Sequence, residues 1–446
     1  MMCATGHFPK VWRGAWISNI YKHKGEEAEC GNWRGIQVCG NPVKVVCGWL
    51  QSLVSPALRK CMGSWQFGLP RMGTLLANHT LRVWMQVCSA MGWSILVLFV
   101  DLEKAFDRVC RQLVCGWLDG EEAGPDTLVR CGFEQTAAVN MARRISQGTV
   151  LDQVGVTGAP ADLLRSLHSG CWAQIGRQST TRFVTKRGGR QGCTFGPDLF
   201  SAAYELPLAD TRADVQARGC TVSAPAPVGA FWSRQQHSDP VVGDVPAKAD
   251  GEGPEMVGSS MVVYVDDLGL MVAAPTPHQL MAQAPGCIDD LANHFASFDM
   301  VMNHGPNKTE AFVRLCGKNQ AEFKASIADA GHAIVTPQGR SIRVVEEYVH
   351  LGSTTSAMLN DNVDVNRRCS IAKQTLSALG EHIFGNPMFS AQLRLGLGKA
   401  LVLSRLQYGV HLWGSLSAWA LRSLNAVYMS LLRRIAGQSW MGLGRG

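Results

Sequence analysis

The chain has 446 residues, of which 46% are hydrophobic and 17% are charged. This composition excludes a disordered chain, and the length is sufficient for two or three subdomains with a sizeable core. The formal net charge is +7, with nine Lys and Arg against three Glu in residues 1–72 and ten against three acids in 360–446. Basic ends around a more acidic centre suit a protein that holds a phosphate backbone at its edges, although a merely solvated basic surface has the same composition.

The fifteen cysteines do not follow a metal or disulfide pattern. No Cys-x-x-Cys pair occurs in the sequence, and most cysteines, such as Cys47, Cys88 and Cys115, stand in apolar runs. Such thiols are typical of a reducing compartment. No run reaches the ~18–20 apolar residues that span a bilayer, and the first residues lack a hydrophobic signal core. We therefore expect a soluble, intracellular protein, with the nucleus as its compartment and no membrane contact.

Strand and helix patterns alternate through the first part of the chain. The predicted elements are a strand over 11–22, a polar loop that ends at Arg34, and core-facing helices over 43–60 and 75–92. The loop QFGLPRMGT, residues 66–74, separates the two helices and contains Arg71. Arg71 is a candidate phosphate contact, although a lone arginine in a loop is more often only solvated.

The stretch SILVLFVDLEKAFDRV, residues 94–109, is an apolar strand that ends in Asp101, with a helix beginning just after it. Residues 119–150 are weakly periodic. A helix is predicted to begin near Pro160 and another near Pro197, with a basic hairpin between them.

Residues 205–260 have a different composition from the rest of the chain. They contain eight acids, four bases and many Pro, Gly and Ala. A segment of this composition does not bury a core, so we expect a long surface loop or a disordered insert.

The stretch MVVYVDDLGLMVA, residues 261–273, predicts a tight hairpin with Asp266 and Asp267 at its tip. Taken alone, the pair is compatible with a surface hairpin that has a polar turn. Two neighbouring carboxylates at the end of a buried hairpin are costly to keep charged without a counter-cation. Together with Asp101, two apolar strands deliver three aspartates to their ends, and hard oxygen ligands of this kind suit a divalent metal.

Five stretches occur in the order DLEKAFDRV, RQGCTFGPDLF, YVDD, NKTE and YVHLG. In this order they resemble the successive motifs of reverse transcriptases, and most closely those of non-long-terminal-repeat (LINE-like) retrotransposons. The resemblance extends from about residue 12 to residue 413, where LQYGVHLW is similar to the Leu-Tyr-Gly…Trp signature of the family's thumb.

The resemblance implies an α+β right-hand polymerase fold with an antiparallel palm sheet. The implied domains are fingers over 1–93, a palm over 94–352 with insertions at 119–150 and 205–260, and a helical thumb over 353–446. It also implies RNA-directed DNA synthesis by two-metal nucleotidyl transfer. The implied partners are two Mg²⁺ ions, an RNA template, a DNA primer and deoxynucleoside triphosphates.

The resemblance also assigns roles to individual residues. The catalytic residues are Asp101, Asp266, Asp267 and Lys308, and the metal ligands are the three aspartates with the carbonyl of Leu102. The nucleotide contacts are Arg34, Leu102, Phe106, Gln191 and Gly192. The template and primer contacts are Arg71, Leu351 and Gly352, and His350 beside them is expected to be exposed. Phe106 would exclude a 2′-hydroxyl, although simple core packing explains its position equally well.

The sequence departs from the family pattern at two places. Gly35 replaces a proline, and Thr194-Phe195-Gly196-Pro197 replaces Pro-Leu-Ser-Pro. The altered loop after Gln191, the two insertions and the missing endonuclease leave one alternative, a decayed relic that binds RNA without polymerising. The presence of all three metal aspartates argues against full decay. A second alternative is a group II intron or other cellular reverse transcriptase, although DLEKAFD and LQYGVHLW favour the LINE-like branch. No endonuclease precedes the fingers and no Cys/His knuckle follows the thumb, so we expect that the chain alone does not integrate its product.

Overall fold

A computed structural model of the protein describes residues 6–23, 25–176, 181–190, 192–225, 256–414 and 416–437. Within these ranges α and β structure are mixed along the chain. The strands are β1 Gly14–Tyr21, β2 Trp33–Val38, β3 Ser94–Val100, β4 Trp172–Ile175, β5 Arg182–Val184, β6 Val222–Pro225, β7 Met256–Ser259, β8 Met261–Tyr264, β9 Asp267–Ala274, β10 Glu310–Arg314, β11 Ala333–Val335, β12 Ser341–Val344, β13 Glu347–His350 and β14 Ser353–Ser356.

The helices account for a larger part of the described residues. They are α1 Asn41–Cys61, α2 Thr74–Ala90, α3 Ala105–Arg108, α4 Arg111–Cys115, α5 Pro125–Arg130, α6 Gln135–Ser146, α7 Val150–Gln153, α8 Ala159–His168, α9 Gly196–Ala217, α10 Pro277–Ala296, α11 Gln320–Asp329, α12 Asn362–Ala378, α13 Ala391–Gly398, α14 Ser404–Leu406 and α15 Ala418–Ala436. None of the helices in the described ranges is both long and apolar enough to cross a bilayer.

The central sheet has six strands in the order β11-β12-β10-β3-β9-β8. Its neighbours run antiparallel, except that β10 and β12 are parallel. The prediction of an antiparallel sheet is therefore wrong for this one pair, because the chain passes through α11 and β11 before it enters β12. All seven residues of β3 are buried, as its apolar sequence requires of a strand covered on both faces.

Alternate side chains of β3 enter two different cores. Leu96, Leu98 and Val100 lie in the larger core, which also contains the buried residues of α9 and α10. Ile95, Val97 and Phe99 lie in a second core, which contains the buried residues of α2. The sheet is thus covered by helices on both faces, and only its ends are available for a site.

Two further units flank the central sheet. A four-stranded sheet in the order β2-β1-β4-β5 joins the beginning of the chain to residues 172–184. At the other end of the chain, helices α12 to α15 surround a separate apolar core that includes Val365, Ala372, Val402 and Leu431. The hairpin of β13 and β14 comes just before these helices.

Residues 119–150 are integral to the main core. Helices α5 and α6 contribute Leu128, Met141 and Ile145 to it. An extra segment that packs in this way stabilises the fold, whatever its origin. The domain boundaries themselves stay a prediction.

The expectation of a loop over 205–260 is wrong at both described ends of this segment. Residues 205–217 continue α9, and β6 pairs with β7 in an antiparallel ladder. Leu208, Thr211 and Val215 recur at helical spacing and are buried, so the composition concealed a helical period. The middle of the segment, 226–255, lies outside the described residues.

Candidate active site

Three aspartates meet at one end of the central sheet. Val100, the last residue of β3, lies opposite Leu268 of β9, and this register places Asp101 beside Asp267. The β8–β9 hairpin closes with Tyr264 opposite Asp267, so Asp266 stands in the turn between them. The predicted hairpin with two acids at its tip is therefore confirmed, and the third acid lies on the neighbouring strand.

The carboxyl groups of this edge act on one another electrostatically. Desolvation, followed by the negative charges of Asp266 and Asp101, raises the pKa of Asp267 to about 6, and Lys308 acts in the opposite direction. Desolvation also raises the pKa of Asp266, with a further contribution from Asp101, while its own backbone N–H and the charge of Arg34 lower it. The protein therefore concentrates negative charge here and compensates only part of it.

Asp101 is held by the loop 303–309. Asn303 Nδ2 donates to Asp101 Oδ2 at 3.0 Å, and Lys308 Nζ lies 3.2 Å from Oδ1. The backbone is fixed as well, since the Asn303 N–H donates to the Asp101 carbonyl at 2.8 Å. Asn303 was not predicted from the sequence. It stands just before the NKTE motif, which is the only sequence signal that would have drawn attention to it.

The donor set suits a hard divalent cation such as Mg²⁺, which prefers carboxylate oxygens. Both Asp101 oxygens contact protein groups, Asn303 and Lys308. Among the described residues, no three His, Cys, Asp or Glu side chains stand together as a ready-made metal site. The residues that would hold an ion are Asp101, Asp266 and Asp267. Leu102, the predicted carbonyl ligand, follows Asp101 and forms an isolated β-bridge with Met302.

The structure describes two further predicted nucleotide contacts, Arg34 and Phe106. Arg34, on β2, is near enough for its charge to act on Asp266. Phe106, on α3, stacks on Phe200 with ring centroids 4.5 Å apart and an interplanar angle of 18°. Its ring is therefore fixed by packing, which is compatible with both roles considered for it.

The loop before α9 is only partly described. Gln191 lies outside the described residues. Gly192 has a φ of +101°, and a Cβ there would lie 2.2 Å from the Gln37 carbonyl oxygen. The need for glycine at this position thus comes from its approach to β2, and its contact with a nucleotide stays a prediction.

The turn of the β13–β14 hairpin connects the site to the C-terminal helices. Leu351 and Gly352 have φ of +46° and +84°. Tyr408 donates to the Leu351 carbonyl at 3.0 Å, and Arg367 donates to the Gly352 carbonyl at 2.6 Å. Both carbonyls of the predicted primer contact are therefore already bound by protein. Arg71, the other predicted contact, is exposed and also has a positive φ, +67°.

The same hairpin reaches the loop that holds Asp101. Tyr348 donates to the Lys308 carbonyl at 2.8 Å and stacks on Phe99, with ring centroids 4.2 Å apart. The expectation that His350 is exposed is wrong, since it is 3% exposed and its Nδ1 lies 2.8 Å from Asn78 Oδ1. Its burial follows from the packing of β13 on the face of the sheet that α2 covers.

Comparison with known proteins finds similarity to solved structures. No family model matches the chain, and no curated protein matches it. Two similar solved structures are apo telomerase from Candida tropicalis truncated from its C-terminal domain (TM-score 0.40, 10% identity, 78% of this chain) and telomerase from Candida albicans with the TWJ fragment of telomeric RNA (TM-score 0.39, 11% identity, 98% of this chain). The chain spans 54% and 61% of those two chains. The function is therefore inferred from the residues of the site.

Proposed function

We propose that the protein is an RNA-directed DNA polymerase, a nucleotidyltransferase of the reverse-transcriptase type from a non-long-terminal-repeat retrotransposon. The main support is the register of β3 and β9, which brings Asp101 beside Asp266 and Asp267 at the end of a buried sheet. The five ordered motifs of the sequence support the same reading. A structural role alone does not account for three neighbouring aspartates in which the charge of Asp101 raises the pKa of both Asp266 and Asp267 and positive groups compensate only part of it.

Two Mg²⁺ ions bound by these carboxylates would activate the primer 3′-hydroxyl and neutralise the departing pyrophosphate. The chain's own residues prepare this site. Asn303 orients the Asp101 carboxylate through one oxygen. Lys308 lies on the other oxygen with its side chain 44% exposed, so its charge is available both to Asp101 and to a phosphate that enters the site.

The residues around the aspartates support the proposed substrates. Arg34 places a positive charge near Asp266, where the triphosphate of a nucleotide would need it. Phe106 presents a fixed ring after Asp101 and would disfavour a 2′-hydroxyl. The basic ends of the chain would bind the RNA template and the DNA primer through their phosphates.

A primer-extension assay with an RNA template and a DNA primer tests this proposal. The parent should extend the primer in Mg²⁺, and Asp266→Asn should reduce extension by about a thousandfold because it removes one carboxylate of the site. Template–primer binding at one fixed salt concentration should stay within about threefold, since the aspartates contact metal and not the duplex. Asp329→Asn, which removes the same charge from an exposed position on α11, is the matched control and should behave as the parent.

Two results would contradict the proposal. If the parent binds template–primer but extends it no better than Asp266→Asn, the protein is the RNA-binding relic considered above. If it copies a DNA template and not the RNA template of the same sequence, it is not an RNA-directed enzyme.

A further inference from the structure

The turn of the β8–β9 hairpin has an unusual conformation for its sequence. Val265 has a φ of +60°, which is rare for a β-branched residue because its Cβ crowds the neighbouring backbone. Two-residue hairpin turns normally have Gly or Asn at such a position. The backbone in front of Asp266 therefore needs support from outside the hairpin.

The side chain of Gln66 provides this support. Gln66 is 1% exposed, and its Oε1 accepts hydrogen bonds from the backbone N–H of Val265 at 3.0 Å and of Gly68 at 2.8 Å. Its Nε2 lies 3.5 Å from the Val265 carbonyl oxygen. The amide of Gln66 thus faces the backbone of the one residue in the turn that has a positive φ.

The residues on either side of Gln66 extend the same contact. Phe67 N–H donates to the Val263 carbonyl at 2.7 Å, and Val263 N–H donates to the Trp65 carbonyl at 2.9 Å. Gly68 also packs closely against Val265. A Cβ at position 68 would lie 2.7 Å from both the N and the Cγ2 of Val265, so only glycine fits there. Segment 65–68 therefore runs along β8 and contacts the turn directly.

We infer that Gln66 is a positioning residue for Asp266 and Asp267. By holding Val265 in its left-handed conformation, Gln66 fixes the direction in which the hairpin presents its two carboxylates toward Asp101. From the sequence, the loop 66–74 is predicted only to contact the template. The positioning role of Gln66 is separate from that contact. The effect of Gln66 on primer extension rests on the proposed function, whereas the effect of Gln66 on the conformation of the hairpin does not.

The test uses Gln66→Met, which keeps the length of the side chain and removes its acceptor. Gln112→Met is the matched control, because Gln112 is equally buried and bonds Glu121 away from the hairpin. Gln66→Asn, which retains an amide on a shorter side chain, serves as the second variant if Gln66→Met does not fold. Val265→Gly, alone and combined with Gln66→Met, tests the backbone explanation, since glycine adopts a positive φ without strain.

Hydrogen–deuterium exchange of the peptide 261–268 gives the first readout. Gln66→Met should increase exchange there by about tenfold or more, because the Val265 N–H loses its acceptor, and Gln112→Met should leave this peptide unchanged. Primer extension gives the second readout. Gln66→Met should lower it by about tenfold to a hundredfold, and the loss should be at least about fivefold smaller in the Val265→Gly background.

The outcomes separate the two proposals. Faster exchange in Gln66→Met, together with a parent that shows no extension, supports the positioning role and contradicts the proposed function. Normal extension by a well-folded Gln66→Met or Gln66→Asn variant overturns the positioning role and leaves the function intact. An equal loss of extension in the parent background and in the Val265→Gly background also overturns it, because the turn would then not be the route by which Gln66 acts.

Discussion

The two sides of the carboxylate edge are held in different ways. On one side, the side chain of Asp101, directly after β3, is bound by Asn303 and Lys308. On the hairpin, Gln66 accepts a hydrogen bond from the backbone N–H of Val265 and does not bond the carboxylates of Asp266 and Asp267. Protein side chains therefore contact the carboxylate of one side directly, whereas Arg34 and Lys308 compensate the other side only through their charges, and a cation would stabilise what remains. The contrast shows how a fold can fix three like charges together without pairing all of them.

On the Asp101 side, the larger effect is expected when the direct support of this carboxylate is removed. Asn303→Ala deletes the donor to Asp101 Oδ2 and the acceptor for the Gly305 N–H at 3.0 Å. Primer extension should fall by about tenfold to a hundredfold, because the Asp101 carboxylate then keeps only its contact with Lys308 and is less well oriented. Template–primer binding should stay within about threefold, and both are measured at the same salt concentration.

Asn425→Ala, at an exposed position on α15, is the control for this experiment. Hydrogen exchange of peptide 261–268 should be unchanged in Asn303→Ala, since the hairpin has its own support. Extension within twofold of the parent would mean that Lys308 alone orients Asp101, and the comparison of the two sides would have to be revised.

A smaller effect, on the free energy of unfolding, is expected from the buried His350, whose ring lies 5.1 Å from the ring of Phe99 on β3. Burial lowers the pKa of His350 to about 4, and its Nε2 has no hydrogen-bond partner among the described residues. The unfolded chain, with a histidine pKa of about 6.5, takes up a proton first as the pH falls. The contribution is therefore intact above pH 6.5 and is lost progressively between pH 6.5 and 4.

Urea unfolding at pH 7 and pH 5 measures this effect. His350 should account for about 2 kcal/mol of the loss in unfolding free energy between these pH values, and His350→Gln should lose correspondingly less. His382→Gln, at an exposed position, should lose as much as the parent. If His350→Gln shows the same pH dependence as the parent, proton uptake by His350 does not destabilise this side of the sheet.

The elements that carry the site could be predicted from sequence because their signals are local. The apolar run of β3 and the residues around Asp266 and Asp267 follow strand patterns that end in acids, so the hairpin and its tip were placed correctly. For residues 205–217, the composition predicts a loop, whereas the spacing of the apolar residues predicts a helix. Their buried positions recur every three or four residues within α9.

The supports of the site could not be predicted in the same way. Gln66 lies 199 positions from Val265, and Asn303 lies 202 positions from Asp101. Contacts of this kind depend on which segments the sheet brings together. A single polar residue in a loop has no sequence pattern that identifies its partner. Their neighbourhoods carry sequence signals of another kind, since Gln66 begins the predicted template loop and Asn303 precedes the NKTE motif.

The most direct test of the central claim is a titration with Mn²⁺ in place of Mg²⁺, followed by electron paramagnetic resonance of the free ion. If Asp101, Asp266 and Asp267 share divalent cations, the parent and Asp329→Asn should bind Mn²⁺ alike. Asp101→Asn and Asp266→Asn should each weaken this binding by about tenfold or more, because each removes a charged ligand. Equal Mn²⁺ binding by the parent and Asp266→Asn would contradict a shared metal site and, with it, the polymerase assignment.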